Sequence, residues 1–347
     1  MPATSKTLRS ASELVEAQVI KPERLAGLQK VASRYAVAIT PALVDLIDTT
    51  NPQDPIGRQF VPDEHELETH PQERDDPIGD ETHSPVAGVV HRYPDRVLLK
   101  LVNACAVYCR FCFRREMVGP GRGALTSAAL TTALDYIART PQIWEVILTG
   151  GDPLLLPPPR LKDVMTRLAA IDHVKVIRIH TRVPIAAPQR VTAATVRALR
   201  TGKATFMVLH ANHAHELGEK ARAACARVID AGIPMLSQSV LLRGVNDDVA
   251  TLGALMRALV ECRIKPYYLH HADLAPGTAH FRTTITEGQE IMRALHGRYS
   301  GLCQPHYVLD IPGGHGKSPI GPNYLSANRT EITDYKGARH AYAAAAR

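Results

Sequence analysis

The chain has 347 residues, 45% of them hydrophobic, with a formal net charge of +7 and a pI near 9.1, which suits one large α/β barrel with an appended segment or two ordinary domains. No apolar run reaches the length a membrane helix needs, and residues 1–20 carry Glu13 and Glu16 with no continuous apolar stretch, so neither a membrane span nor a secretory leader is expected. No Lys/Arg run of the kind that marks a basic tail appears and many basic residues are isolated, which favours an anionic small ligand over nucleic acid, and a reducing, cytoplasmic setting is expected for the six cysteines.

In chain order, residues 11–18, 22–37 and 41–48 read as helices, and a polar, Pro- and Asp-rich stretch over 51–84 has little periodicity. Residues 1–95 are therefore expected to form a helical N-terminal region with an extended arm. From residue 96 the pattern is strand then helix, repeated. Strands are predicted at 97–102, 145–149, 174–180, 205–210, 234–240, 266–270 and 306–310. Helices are predicted at 127–139, 160–171, 193–200, 216–231, 249–261 and 287–297. This alternation indicates βαβ units and a parallel sheet, here a partial (β/α)6 TIM-like barrel over 96–304. Residues 305–347 form a C-terminal segment with a glycine-rich lysine loop and an Ala-rich terminal helix.

The polar motifs fall at the C-terminal ends of these strands, where barrels build active sites. Cys105, Cys109 and Cys112 follow the first strand with spacing C-x3-C-x2-C. Iron–sulfur clusters normally take four thiolates, so three cysteines leave one iron open to another ligand. Cys225, Cys262 and Cys303 read as unreactive thiols on or near helices. Gly150-Gly151-Asp152 follows the second strand, His210 ends the fourth, Gln238 lies in the fifth, Asp273 follows the sixth and Asp310 ends the seventh. The stretch Gly313-Gly314-His315-Gly316-Lys317-Ser318-Pro319 fails as a P-loop on spacing and on the proline that follows. A reachable lysine on a flexible glycine-rich loop suits reversible Schiff-base formation with an aldehyde cofactor.

Together these motifs closely resemble the lysine 2,3-aminomutase family of radical S-adenosylmethionine (SAM) enzymes. The resemblance rests on Arg92-Tyr-Pro-Asp-Arg96, the cysteine run through Arg114-Arg115, Gly150-Gly151-Asp152, the run from Gln238 to Asp247, Asp273 with His280-Phe281-Arg282, and Asp310 with the lysine loop. It covers about residues 85–325.

The resemblance implies a [4Fe–4S] cluster on Cys105, Cys109 and Cys112, and SAM near Gly150, Gly151 and Asp152, with His210 and Gln238 as weaker candidates. It implies pyridoxal 5′-phosphate (PLP) on Lys317, with Arg92 and Arg96 on its phosphate. Arg114 is implied to hold the substrate α-carboxylate, and Asp273 with Asp310 the distant ammonium of L-lysine. Two carboxylates facing one ammonium favour lysine over glutamate and exclude arginine less firmly. The implied reaction interconverts L-lysine and β-lysine through a 5′-deoxyadenosyl radical and a shift of nitrogen from C2 to C3. An aminomutase of arginine or glutamate, or a cluster protein partnering the translation machinery, is the alternative. The family also implies a reductant such as flavodoxin or ferredoxin and a homo-oligomer joined through the N-terminal helices. The short chain resembles the branch that makes (R)-β-lysine for elongation factor P. No cysteine follows Cys303 and Asp248 stands where longer members can carry cysteine, so no zinc site is expected. His315 stands where a glycine is common and is expected to alter the loop.

Overall fold

The structure, a computed structural model, describes residues 6–119 and 123–342. The N-terminal region holds α1 (Ala11–Glu16), α2 (Leu25–Arg34), α3 (Pro41–Val44) and α4 (Pro55–Phe60). Then follow β1 (Val89–Tyr93), β2 (Arg96–Val102), α5 (Ser127–Ala138), β3 (Glu145–Gly150), α6 (Pro158–Ala169) and β4 (Val176–Thr181). The chain continues through α7 (Val183–Ala186), α8 (Ala193–Leu199), β5 (Ala204–His210), α9 (Glu219–Asp230), β6 (Met235–Val240) and α10 (Val249–Glu261). It ends with β7 (Ile264–His270), α11 (Ile285–Leu295), β8 (His306–Asp310), β9 (Lys317–Pro319), β10 (Glu331–Thr333) and β11 (Arg339–Ala341).

Strands β1 to β9 form one sheet in sequence order, with β2 to β8 parallel. The antiparallel strands β1 and β9 close its two edges. This is the curled, open α/β sheet expected, with six helical crossovers. Helices cover its outer face, so central strands are buried on both sides and read as unbroken apolar runs; every residue of β3 is buried. The crossover helices start on side-chain caps: Asp248 accepts from the amides of Ala250 and Thr251, both at 2.9 Å, and Thr284 and Glu287 form a capping box on α11.

The N-terminal helices share the barrel's core: Leu14, Leu28, Ile39 and Phe60 belong to the same buried cluster as Leu99, Leu148, Ile179 and Leu209. Three findings differ from the sequence reading. Residues 89–93 form a strand, and the hairpin β1–β2 runs across residue 95. The third helix is a single turn, Pro41–Val44. The terminal helix is not formed in the described residues, where β10 and β11 pair as a hairpin instead; residues 343–347 lie outside them. Cys225 and Cys303 are buried and Cys262 is half-buried. Among the described residues no helix is long and apolar enough to cross a membrane.

Candidate active site

A cavity of about 740 Å³ opens inside the curl of the sheet. All fourteen residues singled out from the sequence line it: Arg92, Arg96, Cys105, Cys109, Cys112, Arg114, Gly150, Gly151, Asp152, His210, Gln238, Asp273, Asp310 and Lys317.

The cysteine segment leaves β2 and is held from outside the barrel. The amide of Tyr108 donates to the Ala38 carbonyl and that of Arg110 to the Gln59 carbonyl, both at 2.9 Å. Beneath it Glu66, fully buried, accepts from Arg110 Nε at 2.9 Å and Nη2 at 2.6 Å, and also from Arg115 Nη2. Burial raises all three thiols, Cys109 to about 12, so the thiolates a cluster requires depend on the positive charge of iron. Among the described residues no three His, Cys, Asp or Glu groups converge tightly enough for a single ion. A cubane, in which each thiolate takes its own iron, asks for a wider triangle, and three soft sulfurs on one cavity wall with no fourth thiol fit that demand.

Gly150 and Gly151 line the cavity, and packing also requires them to be glycine. A Cβ on Gly150 would collide with the Val102 carbonyl and one on Gly151 with that of Ala104, and Gly150 also has φ +115°. The missing side chains make room for the cysteine segment itself. Asp152 is a brace: its carboxylate accepts from Thr181 Oγ1, Leu154 N, Arg182 N and Val183 N at 2.7–3.2 Å. This locks the loop after β3 to the end of β4. His210 lies beside His180 with ring centroids 5.7 Å apart, and burial pushes it down to about 3. The neighbouring His213 and His215 line a separate surface pocket, so the three histidines do not converge.

Lys317 is the first residue of β9, in register with Asp310 on β8, so it stands on a strand at the sheet edge rather than on the flexible loop expected. The preceding loop is closed by Ile311 N donating to Gly316 O at 2.8 Å, and Tyr93 Oη accepts from Lys317 N at 2.6 Å. Gly313, Gly314 and Gly316 take the left-handed positions, with φ of +90°, +86° and +92°, whereas His315 does not. His315 is exposed and adds no backbone strain.

Lys317 Nζ pairs with Asp310 Oδ2 at 2.5 Å and lies 3.4 Å from His270 Nδ1, which is 3.2 Å from the same carboxylate oxygen. Burial alone would raise the Asp310 carboxyl, but the hydrogen bond with His270 and the Lys317 ammonium hold it well below the usual range. Asp273 contrasts with it: burial, and then the charge of Asp310, push its carboxyl up to about 7.

Across the cavity Arg114 Nε donates to Asp80 Oδ2 at 2.8 Å, and Arg92 Nη2 donates to Asp80 Oδ1 at 3.3 Å and to the Ile78 carbonyl at 2.5 Å. Arg96 lies over the Tyr93 ring at 3.9 Å and holds Asp95 at 2.6 Å. Four buried polar atoms on cavity-lining residues have no partner among the described residues: Arg92 Nε, Arg178 Nε, His180 Nε2 and His270 Nε2. Buried polar groups are normally satisfied, so a polar ligand belongs here. Arginines for a phosphate and a lysine for an aldehyde in the same cavity fit PLP. Sequence reading missed Glu66 and Asp80; their only signal was acidity in an otherwise featureless arm.

Comparison with known proteins agrees with this geometry. The radical SAM superfamily matches residues 99–254, and the family described as lysine-2,3-aminomutase matches residues 292–345. The chain is 41% identical to L-lysine 2,3-aminomutase of Acetoanaerobium sticklandii, over 94% of this chain and 79% of that one. The chain belongs to the lysine 2,3-aminomutase family. It is similarly 39% identical to L-lysine 2,3-aminomutase of Clostridium subterminale, over 95% of this chain and 80% of that one. It is also 36% identical to glutamate 2,3-aminomutase of Clostridioides difficile, over 88% and 72%. Radical SAM members of this family use a [4Fe–4S] cluster, SAM and PLP, which are the three groups the cavity residues suit. A family that includes a glutamate enzyme leaves the substrate to the residues of the cavity.

Proposed function

We propose that the protein is an L-lysine 2,3-aminomutase, interconverting L-lysine and β-lysine by a 1,2-amino shift. The observation that carries the substrate is the distribution of charge in the cavity. Arg92, Arg96 and Arg114 lie on the hairpin and cysteine segment at one edge of the sheet, and Asp273 and Asp310 on the β7–β8 side at the other. An α-carboxylate on Arg114 then directs the far end of the substrate to two carboxylates. That end is an ammonium in lysine and a repelled carboxylate in glutamate.

In this reading Cys105, Cys109 and Cys112 would hold the cluster, the adjoining β3 end SAM, and Lys317 with Arg92 and Arg96 PLP. Bound there, these groups supply radical generation and an electron-accepting ring. The chain's own residues do the rest. Asp310 keeps the Lys317 amine in place as an ion pair. Burial and the Lys317 charge push His270 below its ordinary value, and its Nδ1, 3.2 Å from Asp310 Oδ2 and 3.4 Å from Lys317 Nζ, steadies the pair. Once Nζ leaves the pair, Asp310 is free to join Asp273 on the substrate ammonium. The buried wall of β3 and β4 excludes water.

The test is anaerobic: reconstituted protein with PLP, SAM and reductant, offered L-lysine, L-glutamate or L-arginine, with chiral separation of the products. We expect β-lysine from lysine alone, and we expect Lys317→Ala to keep iron and SAM cleavage while losing the product. SAM cleavage with lysine untouched, or turnover of glutamate, would overturn the reading. A flavodoxin- or ferredoxin-class donor, self-association through the N-terminal helices and supply of (R)-β-lysine to elongation factor P extend this proposal, and the configuration of the product bears on the last.

A further inference from the structure

Asp80 lies in the arm before the barrel and is fully buried. Its two oxygens divide between two arginines of the cavity: Oδ2 takes Arg114 Nε at 2.8 Å and Oδ1 takes Arg92 Nη2 at 3.3 Å. Burial would raise its carboxyl, but the charge and hydrogen bond of Arg114 bring it down, so it is a carboxylate. The loop that carries it is braced from within. Asp76 accepts from the amides of Asp80 and Glu81 at 2.9 and 2.8 Å, and Ser84 Oγ donates to the Asp80 carbonyl at 2.7 Å. The same loop docks on the lysine loop, where Gly313 N donates to the Pro77 carbonyl at 3.3 Å and His83 Nε2 meets the Gly314 carbonyl at 3.0 Å.

Arg114 spends only Nε on Asp80, and neither of its Nη atoms has a partner among the described residues. That is the arrangement of a guanidinium held from behind with its fork left open, the form in which arginine grips a carboxylate in bidentate fashion. Arg92 is likewise pinned through Nη2 alone. We propose that Asp80 is the positioning residue for both anion anchors, fixing Arg114 toward the substrate carboxylate and Arg92 toward the cofactor phosphate. The arm then becomes part of the site, setting both anchors and the lysine loop from one short segment. The inference rests on the proposed roles of Arg114 and Arg92.

The sign of one substitution separates positioning from neutralisation. A carboxylate beside an anion site opposes anion binding by Coulomb's law. If Asp80 only neutralised the arginines, Asp80→Asn would tighten PLP and lysine. If it positions them, the same nearly isosteric change loosens both, by about ten- to hundredfold, as expected for a lost charge-assisted hydrogen bond. The measurements are the PLP dissociation constant by absorbance titration and KM for L-lysine. Iron content and SAM binding serve as readouts that a positioning role leaves unchanged. Weaker PLP and lysine binding with iron and SAM intact supports the proposal. Tighter or unchanged binding overturns it, and so does loss of iron and SAM together with PLP, which would mark a merely structural residue. Arg92→Ala and Arg114→Ala test the underlying roles. If they weaken PLP and lysine respectively while Asp80→Asn does not, only the positioning role fails. If neither weakens its ligand, the anchor assignment itself is wrong.

Discussion

Asp273 should make lysine use pH-dependent in a range where few other groups of the cavity titrate. Its carboxyl is pushed up to about 7, and only its ionised form attracts an ammonium. With that midpoint it is about one-tenth ionised at pH 6 and nine-tenths at pH 8, so kcat/KM for lysine should rise about tenfold across the interval. Burial pushes His180, His210 and His270 below their ordinary value, and His270 and Lys317 hold Asp310 low. The substrate's side-chain ammonium, with a reference value near 10.4, stays charged throughout. Its α-amine does titrate toward the alkaline side, and the control for that is Asp273→Asn, which shares every other group. The ratio of wild-type to variant kcat/KM, measured anaerobically on reconstituted protein from pH 6 to 8, isolates Asp273. Removing one partner of a buried ion pair costs about 3–5 kcal/mol, so the variant should also be weaker at every pH where Asp273 is charged. A flat ratio would refute the assignment of Asp273 to the ammonium, whatever the overall rate.

The same carboxyl carries a stability prediction of opposite sense. Its folded value lies above the reference of 3.8, so the folded state keeps a proton that the unfolded chain gives up. Wild-type stability is therefore lost as pH rises from about 4 to 7. Asp273→Asn escapes this and should be more stable at pH 8 by about 2–4 kcal/mol, with no gain at pH 4; equal denaturant midpoints at both pH values would sink the argument. Gly151→Ala drives a methyl into the Ala104 carbonyl, and overpacking of this kind costs about 1–3 kcal/mol. The strain falls on the cysteine segment, so iron retention should drop in step with the melting temperature, and a variant that keeps its iron would contradict the packing account of this glycine pair.

The parallel strands were legible because apolar, β-branched runs separated by amphipathic stretches have few alternatives in a chain of this length. Strand β8 begins and ends where the sequence placed it, and α10 likewise. The edge strands were not legible, and the reason is local. Lys317-Ser318-Pro319 has no strand pattern of its own and is extended because it pairs with β8. Val89–Tyr93 sits at the end of a polar arm and pairs through the hairpin with β2. The packing roles at the β3 end were not legible for a related reason. A Gly-Gly-Asp run signals close approach and hydrogen bonding, but only the folded chain shows that the approach is by Val102 and Ala104 and that the carboxylate is taken by Thr181 and its neighbours.

Those edge strands explain how the site is built. A closed parallel barrel of this size fills its interior with side chains, whereas this open sheet leaves a cavity of about 740 Å³. Its two antiparallel edges deliver what the parallel strands do not: β1 brings Arg92, and β9 brings Lys317 against Asp310. The acids that steady the cationic side, Asp80 and Glu66, come from an arm with no periodicity, 34 and 44 residues before Arg114 and Arg110. Both can be placed only after the chain has folded. The two edges meet where Tyr93 Oη accepts from Lys317 N at 2.6 Å, so cationic and acidic groups line the same cavity. That one cavity is lined by Arg92, Arg96 and Arg114 and also by Asp273 and Asp310 is what suits it to a substrate carrying both a carboxylate and an ammonium.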